Sequence, residues 1–350
     1  PAQPAAGAAP ADVPLLPRNG AKLFRGAGPA CFEASDCADE PAWDDSTHLQ
    51  LEWPSEIHSL HSLGYTDEEL EGMASGFGVT NIFRVLSDEG VATMDQELGR
   101  VESFAKCSKR IPRVLRGGTF LSGFKRGFTH SEALTNHLSK IAGVRLTPHI
   151  MEIQNAHTNF CPRDVTKNVD KWHHDTTDYV LVMFATDPNK YEGGHFEFFN
   201  GTVPEAKRML EEHGSERALE MVEERATRFS RQPQGYAVFQ QGWKVFHRAS
   251  RLTGGTERTT VVLSYVAADP PKHEACQRLS NTFLDTDLYE MILPDWARFR
   301  SWRCARLLQL ANATAHARYA AAFEKLSEIV INLPYSDNRE MICDALRAAV

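Results

Sequence analysis

The spacing of apolar residues changes character twice along the chain. Between positions 144 and 269 it falls into short runs rich in Val, Ile, Phe, Tyr and Thr: "VRLTPHIMEIQNAHTNF", "DYVLVMFATD", "GGHFEFFNG", "QGYAVFQQ", "WKVFHRAS" and "ERTTVVLSYVAAD". Gly, Pro, Asp and Asn separate most of them, which is the punctuation of strands joined by turns. A parallel α/β sheet would need a helix between each pair of strands, and most of these runs leave no room for one. The pattern predicts a mainly β core of antiparallel strands, closed as a barrel or sandwich.

Outside that core the apolar positions recur at helical spacing. Thr66 followed by Glu69 predicts a helix N-terminus, and "DQELGRVESFAKCSK" reads as a second helix. One helical stretch interrupts the strands. "VPEAKRMLEEHGSERALEMVEERA" carries Pro204 near its start and is expected as an insertion over about 203–227, on the outside of the barrel. Beyond Pro271 the helical period returns, with a break expected at Pro294. The aromatic series Tyr289, Trp296, Phe299, Trp302, Tyr319 and Phe323 is expected to pack on the barrel, with a homodimer interface through the C-terminal helices as the alternative. The expected organisation is a mobile Ala/Pro-rich tail (1–20), a helical region packing on the barrel (21–110), the strand-rich core (111–270) and a helical C-terminal region (271–350).

Composition narrows the partners. The 350 residues are 42% apolar and 24% charged, with a net charge of −8, and no basic run is long enough to track a phosphate backbone. Nucleic acid is therefore not an expected partner. Neither is a membrane, because no apolar stretch reaches spanning length. Seven scattered cysteines without a Cys-x-x-Cys pair exclude a zinc ribbon and fit reduced thiols in a cytoplasmic protein.

Chemistry concentrates at "KWHHDTTDYV". Residues two apart on a strand share a face, so His173 and Asp175 converge while His174 points away. Two imidazoles and one carboxylate on one face leave three adjacent metal positions open, the arrangement suited to non-haem iron(II). "WKVFHRAS" offers His247 as the missing imidazole, although a histidine in an apolar strand is also at home as a core residue. Eleven positions on, Arg258 opens the next strand, with Thr260 on the same face. A guanidinium facing a barrel interior needs an anionic partner, and its fork suits a carboxylate. A metal triad beside a carboxylate receptor describes a site for a keto acid.

The ordered set His173-x-Asp175, His247, Arg258-x-Thr260 resembles the iron(II)- and 2-oxoglutarate-dependent oxygenases. "YEGGHFEFF" and "GYAVFQQGWKVFHRASRLTGGTERTTVVLSYV" are similar to strands of the prolyl-4-hydroxylase-like branch. The flanking helices and the insertion look more like its microbial and fungal small-molecule members. The resemblance covers about His149 to Asp269 and implies a double-stranded β-helix (jelly roll, cupin-like). It implies His173, Asp175 and His247 as ligands of Fe(II), with Arg258 and Thr260 binding 2-oxoglutarate. Many members place a tyrosine before the first ligand; here "IMEIQNAHTNF" has none, and Gln154, Asn155 or His157 would take its place. The implied reaction consumes O2 and 2-oxoglutarate, releases succinate and CO2, and oxidises an unactivated C–H bond by hydroxylation, cyclisation or desaturation. Related halogenases leave the carboxylate position empty for chloride, so Asp175 speaks for oxygenation. The expected substrate is a small molecule, with amino acids the candidate class, and His195, Glu197 and Trp243 are candidate substrate contacts. A hydroxylase of peptides or proteins and a non-catalytic cupin-like metal-binding protein are the alternatives.

Overall fold

In the computed structural model the residues described are 40–107, 111, 113–160, 168–212, 215–229, 231–255, 258–271, 273 and 289–314. The Ala/Pro-rich tail, Cys31, Cys37, Cys161, Cys276, Cys343, Tyr319 and Phe323 lie outside them.

Two antiparallel sheets form the core. In chain order the strands are β1 (Ile57–Ser59), β2 (Phe77–Thr80), β3 (Phe83–Arg84), β4 (Val114–Leu115), β5 (Leu146–Pro148), β6 (His157–Asn159), β7 (Asn168–His173) and β8 (Tyr179–Phe184). They continue with β9 (Tyr191–Gly193), β10 (Phe196–Phe199), β11 (Ala226–Arg228), β12 (Tyr236–Gln240), β13 (His247–Gly255) and β14 (Thr260–Ala267). The larger sheet runs β1-β2-β12-β8-β14-β6-β4, with β3 on β12 and β5 on β14. The smaller runs β11-β10-β13-β7, with β9 on β13. Neighbours in these sheets are distant in sequence, as a jelly roll requires. The fold is the double-stranded β-helix with flanking helices.

Strand parity sets what the sheets enclose. On β8, Leu181 and Met183 join Phe239 of β12 and Val261 and Leu263 of β14 in one core cluster. On the other face, Val182 and Val238 pack with Phe196 and Phe198 of the smaller sheet. One face of the larger sheet is thus covered by helices, and the other looks across at the second sheet. The covering helices are α1 (Asp88–Val101), α2 (Gly123–Thr129) and α3 (Glu132–Ala142). Ser87 caps α1 by accepting from Gly90 N, and Ser131 caps α3 by accepting from Leu134 N. Leu98, Phe124, Phe128, Leu134 and Leu138 bury their apolar faces in that cluster.

Several expectations need correction. The segment before residue 110 was expected to be helical, yet it adds β1, β2 and β3 to the larger sheet. Thr66 and Glu69 do form a full capping box, but the helix it starts is one turn long (Asp67–Leu70). Gly78 shows why a strand comes next: a side chain there would meet the His58 carbonyl at 2.7 Å, so only glycine lets β1 and β2 pair this closely. The insertion is two helices, α4 (Val203–Glu212) and α5 (Ser215–Glu224), joined by a short link. They pack through Val203, Ala206 and Val222 on Phe199, Phe246 and Trp172, on the side of the smaller sheet away from the cavity. The strand through His247 continues to Gly255, and β9 pairs with its second half.

No helix break occurs at Pro294. α6 (Tyr289–Thr314) is continuous through it. A proline this near a helix start removes one backbone bond, and tertiary anchors hold the later turns. Asp295 accepts from Ile153 N at 2.9 Å, Arg303 donates to the Ala267 carbonyl at 2.7 Å, and Arg306 pairs with Asp269 at 2.6 Å. Trp296, Phe299 and Trp302 pack with Met151, Ile153 and Val266, against the barrel as expected. Among the described residues no helix is long and apolar enough to cross a membrane.

Candidate metal and co-substrate site

β7 and β13 pair antiparallel with His173 opposite His247, and the two rings lie 4.2 Å apart between centroids. Each ring is fixed by its own strand. His173 Nδ1 is 2.6 Å from the Lys171 carbonyl and His247 Nδ1 is 2.9 Å from the Val245 carbonyl. Those bonds assign the proton to Nδ1 and leave the Nε2 lone pair of each ring facing inward. Asp175 sits between them, with Oδ1 3.4 Å from His173 Nε2 and Oδ2 3.6 Å from His247 Nε2. The Asp175 backbone N–H donates to the Gly242 carbonyl at 2.9 Å. A side chain at Gly242 would fall 2.5 Å from Asp175 Oδ2, so glycine there makes room for the carboxylate.

The three donor atoms lie within 4.8 Å of one another. Two neutral imidazoles and a carboxylate are a donor set that fits iron(II), and such a set would leave further coordination positions for other ligands. Burial, with a smaller contribution from His173, pushes the His247 imidazole down to about 4, which keeps it in the neutral, metal-binding form. His174 stands apart from this group. Its Nδ1 contacts the Asp175 carbonyl at 3.2 Å, and burial lowers its proton affinity.

The triad opens into a cavity of about 150 Å³ between the sheets, which Arg258 and Thr260 also line. Arg258 is almost fully buried, and its Nε donates to the Gly194 carbonyl at 2.6 Å. Gln232 supports it through the same carbonyl. This explains the double glycine before β10. Gly194 has φ +60, and a side chain there would lie 2.6 Å from Arg258 Cδ. At Gly193, with φ +73, a side chain would collide with the Arg251 carbonyl of β13. The guanidinium is thus held by backbone at Nε and by Gln232 Oε1 3.5 Å from Nη2, at a cavity wall where its type of group can meet a carboxylate.

Other expected contacts fall elsewhere. Asn155 turns its amide to the His149 carbonyl and is not part of the cavity wall, whereas Gln154 and His157 are. His195 and Glu197 do share a face, but it is the wrong one. Phe196, between them, lines the cavity and lies 5.6 Å from the His247 ring. Glu197 is fully buried on the other face between Arg228 and Arg248. The two apolar residues Phe196 and Phe198 were the signal that could have assigned the faces. Trp243 lies in the β12–β13 connection under the Lys244 ammonium, outside the cavity wall.

Two charged cavity residues escaped the sequence reading. Arg116 reaches the wall just after β4 and donates to Gln154 Oε1 at 3.0 Å. Asp170 lies on β7 with Oδ2 3.7 Å from His173 Nε2. Three residues apart, Asp170 and His173 should face opposite ways. They do not, because the register with β13 slips between them: His247 pairs with His173 but Ala249 with Asp170. That extra residue is a β-bulge, and it flips the parity.

A family model described as Halogenase D matches residues 118–284, a span containing the triad, Arg258 and Thr260. The matched span is just under half of the chain, and within it the fold brings together a triad that could hold a metal ion. Among solved structures, the chain is similar to the carbocyclase SnoK of nogalamycin biosynthesis at 14% identity and TM-score 0.41, covering 63% of this chain and 90% of that one. It is also similar to the epimerase SnoN of the same biosynthesis at 14% identity and TM-score 0.40, covering 54% and 78%. HygX from Streptomyces hygroscopicus, with nickel and 2-oxoglutarate bound, aligns at 13% identity and TM-score 0.40 over 58% of this chain and 88% of that one. No curated protein matches the chain.

Proposed function

We propose that the chain is an iron(II)- and 2-oxoglutarate-dependent oxygenase that hydroxylates an unactivated C–H bond of a small zwitterionic molecule, of the amino-acid class, releasing succinate and CO2. The bound metal and 2-oxoglutarate supply the oxidising power. The chain's own residues do the placing. His173, Asp175 and His247 hold the metal on one side, and Arg258 and Thr260 hold the distal carboxylate of the co-substrate. The two sheets keep bulk water from the site between them.

The observation that carries oxygenation rather than halogenation is the carboxylate of Asp175, seated within 3.6 Å of both imidazole Nε2 atoms. It occupies the position that the related halogenases leave for chloride. The Halogenase D match makes halogenation the second reading, and the two separate cleanly. Turnover in saturating chloride should give only product that has gained an oxygen; a chlorinated product would overturn the assignment.

The substrate class is supported by the cavity's remaining charges. Arg116 and Asp170 line the same space as the triad and carry opposite signs, which suits a carboxylate and an ammonium on one small molecule. The insertion α4–α5 packs behind the smaller sheet and not over the cavity, so it supplies no lid for this reading. The test is a screen for succinate release with free amino acids and with their N-acetyl amides. Release driven by the free forms supports the proposal. Equal or better turnover of the blocked forms favours the peptide-hydroxylase alternative.

A further inference from the structure

One buried polar side chain beside the triad is neither a metal ligand nor a partner of Arg258. Gln240 ends β12 in the larger sheet, paired with Val180 of β8. It shares strand parity with Val238, which packs toward the smaller sheet, so Gln240 also projects into the space between the sheets. Its side chain crosses that space and brings Nε2 to 3.0 Å from His247 Nε2. Gln240 is fully buried, and its Oε1 is buried without a hydrogen-bond partner among the described residues.

Each fact narrows the role. Leaving a buried amide oxygen unsatisfied costs about 1–3 kcal/mol, a cost that an apolar side chain at this position would not carry. The ring proton of His247 is committed to Val245, so the nitrogen Gln240 approaches is the one directed at the metal. An N–H group this close to a metal-directed lone pair stands beside the metal's other ligands. Once that lone pair is used, the amide has to find an acceptor there.

We propose that Gln240 is a positioning residue for the co-substrate, its side-chain amide donating a hydrogen bond to the metal-chelating end of the 2-oxo acid. Arg258 would then hold one end of 2-oxoglutarate and Gln240 the other, from opposite ends of the larger sheet. The inference rests on the metal and co-substrate assignment and is independent of which molecule is oxidised.

The experiment needs no substrate. Binding of 2-oxoglutarate to the iron(II)-loaded enzyme is measured without oxygen, by its visible charge-transfer band, for the unaltered chain and for Gln240→Met and Gln240→Glu. Iron(II) affinity is measured separately in the absence of 2-oxoglutarate. Gln240→Met should weaken 2-oxoglutarate about tenfold, the size of one hydrogen bond to a charged acceptor, shift the band, and leave iron affinity within about twofold. Gln240→Glu should weaken it further by setting a carboxylate against a carboxylate. Unchanged 2-oxoglutarate binding in Gln240→Met overturns the proposal. So does a loss confined to iron affinity, which would mean that Gln240 serves Asp175 instead. If neither variant folds, the zinc-loaded unaltered protein decides the matter. The Gln240 side-chain amide resonance should move on adding 2-oxoglutarate, and a resonance that stays put contradicts the assignment.

Discussion

His247 and Arg248 are neighbours on β13, yet they belong to two charged regions with opposite designs. Arg248 is satisfied within the chain: it donates to Glu197 at 2.6 Å and to Glu223 of α5 at 2.6 Å, and it lies over the Trp172 ring. Glu197 takes a second arginine, Arg228, on its other oxygen. His247 instead joins His173 and Asp175 in a cluster of acceptors that face one another, with two lone pairs and a carboxylate converging on one point. Such a cluster needs a cation from outside the chain. Buried charge sorts by this rule. A network that closes on itself holds the sheet and the insertion together, whereas one whose members all present the same polarity is built for a ligand.

Breaking each region should therefore produce opposite phenotypes. The largest expected effect is His247→Ala, or equally His173→Ala. Succinate formation should vanish, with iron(II) affinity down by at least about a hundredfold, while thermal unfolding of the metal-free protein changes little. Retained succinate release would show that the wrong ligands have been named. Arg258→Gln should come next. It removes one charged partner of 2-oxoglutarate, worth about 2–3 kcal/mol or roughly a hundredfold in co-substrate affinity, and should leave iron affinity nearly unchanged. Equal losses on both would remove Arg258 from this role.

Glu197→Gln tests the self-closed region. Breaking its buried pair with Arg248 should cost about 3 kcal/mol of stability, read as a lowered denaturation midpoint; the half-exposed Arg228 adds little. The 2-oxoglutarate affinity of the folded fraction should stay within a few-fold of the unaltered chain. A stable variant with ruined co-substrate binding would instead place Glu197 in the site. Gly194→Ala is subtler, because it touches the site through backbone alone. A methyl group pressed on Arg258 Cδ should raise the 2-oxoglutarate requirement about tenfold, measured as KM against an unchanged iron affinity.

The smallest effect concerns a buried charge in neither region. Lys125 is fully buried and donates to Thr158 Oγ1 at 2.7 Å, and burial pulls its ammonium down to about 7 despite Glu97 and Glu40 nearby. The unfolded chain holds that proton up to an ordinary lysine value, so between pH 7 and about 10.5 the unfolded state binds more protons. Its contribution to stability should therefore rise with pH across that window. Lys125→Met should remove that rise; an identical pH profile of unfolding in both proteins would show that Lys125 does not titrate there.

How much of this was legible in the sequence depended on parity. His173 closes β7 with Asp175 two residues beyond it, Thr260 opens β14 with Arg258 two residues before it, and in each pair both members line the cavity, as the spacing suggested. Parity could not see the bulge that turns Asp170 inward, because a bulge is a property of two paired strands and not of one. It also left open which face of β10 is inner, and His195 and Glu197 were placed on the wrong side for that reason. Gln240 lay in plain view at the end of "YAVFQ" on the face shared with Val238. Only the crossing from the opposite sheet reveals its neighbour. Among the described residues before 110 the helical reading held over Asp88–Val101 and missed β2 and β3, which form by pairing with distant β12 and carry no local signal of it.

Whether these side chains assemble a working iron site is decided by an oxygen-free titration of the purified protein with iron(II) and then 2-oxoglutarate, followed by visible absorption. One iron should bind per chain, and a charge-transfer band should appear that saturates with one 2-oxoglutarate. That band should be lost in His247→Ala and displaced to much higher 2-oxoglutarate in Arg258→Gln. A band that survives in His247→Ala, or never forms in the unaltered chain, would contradict the assignment.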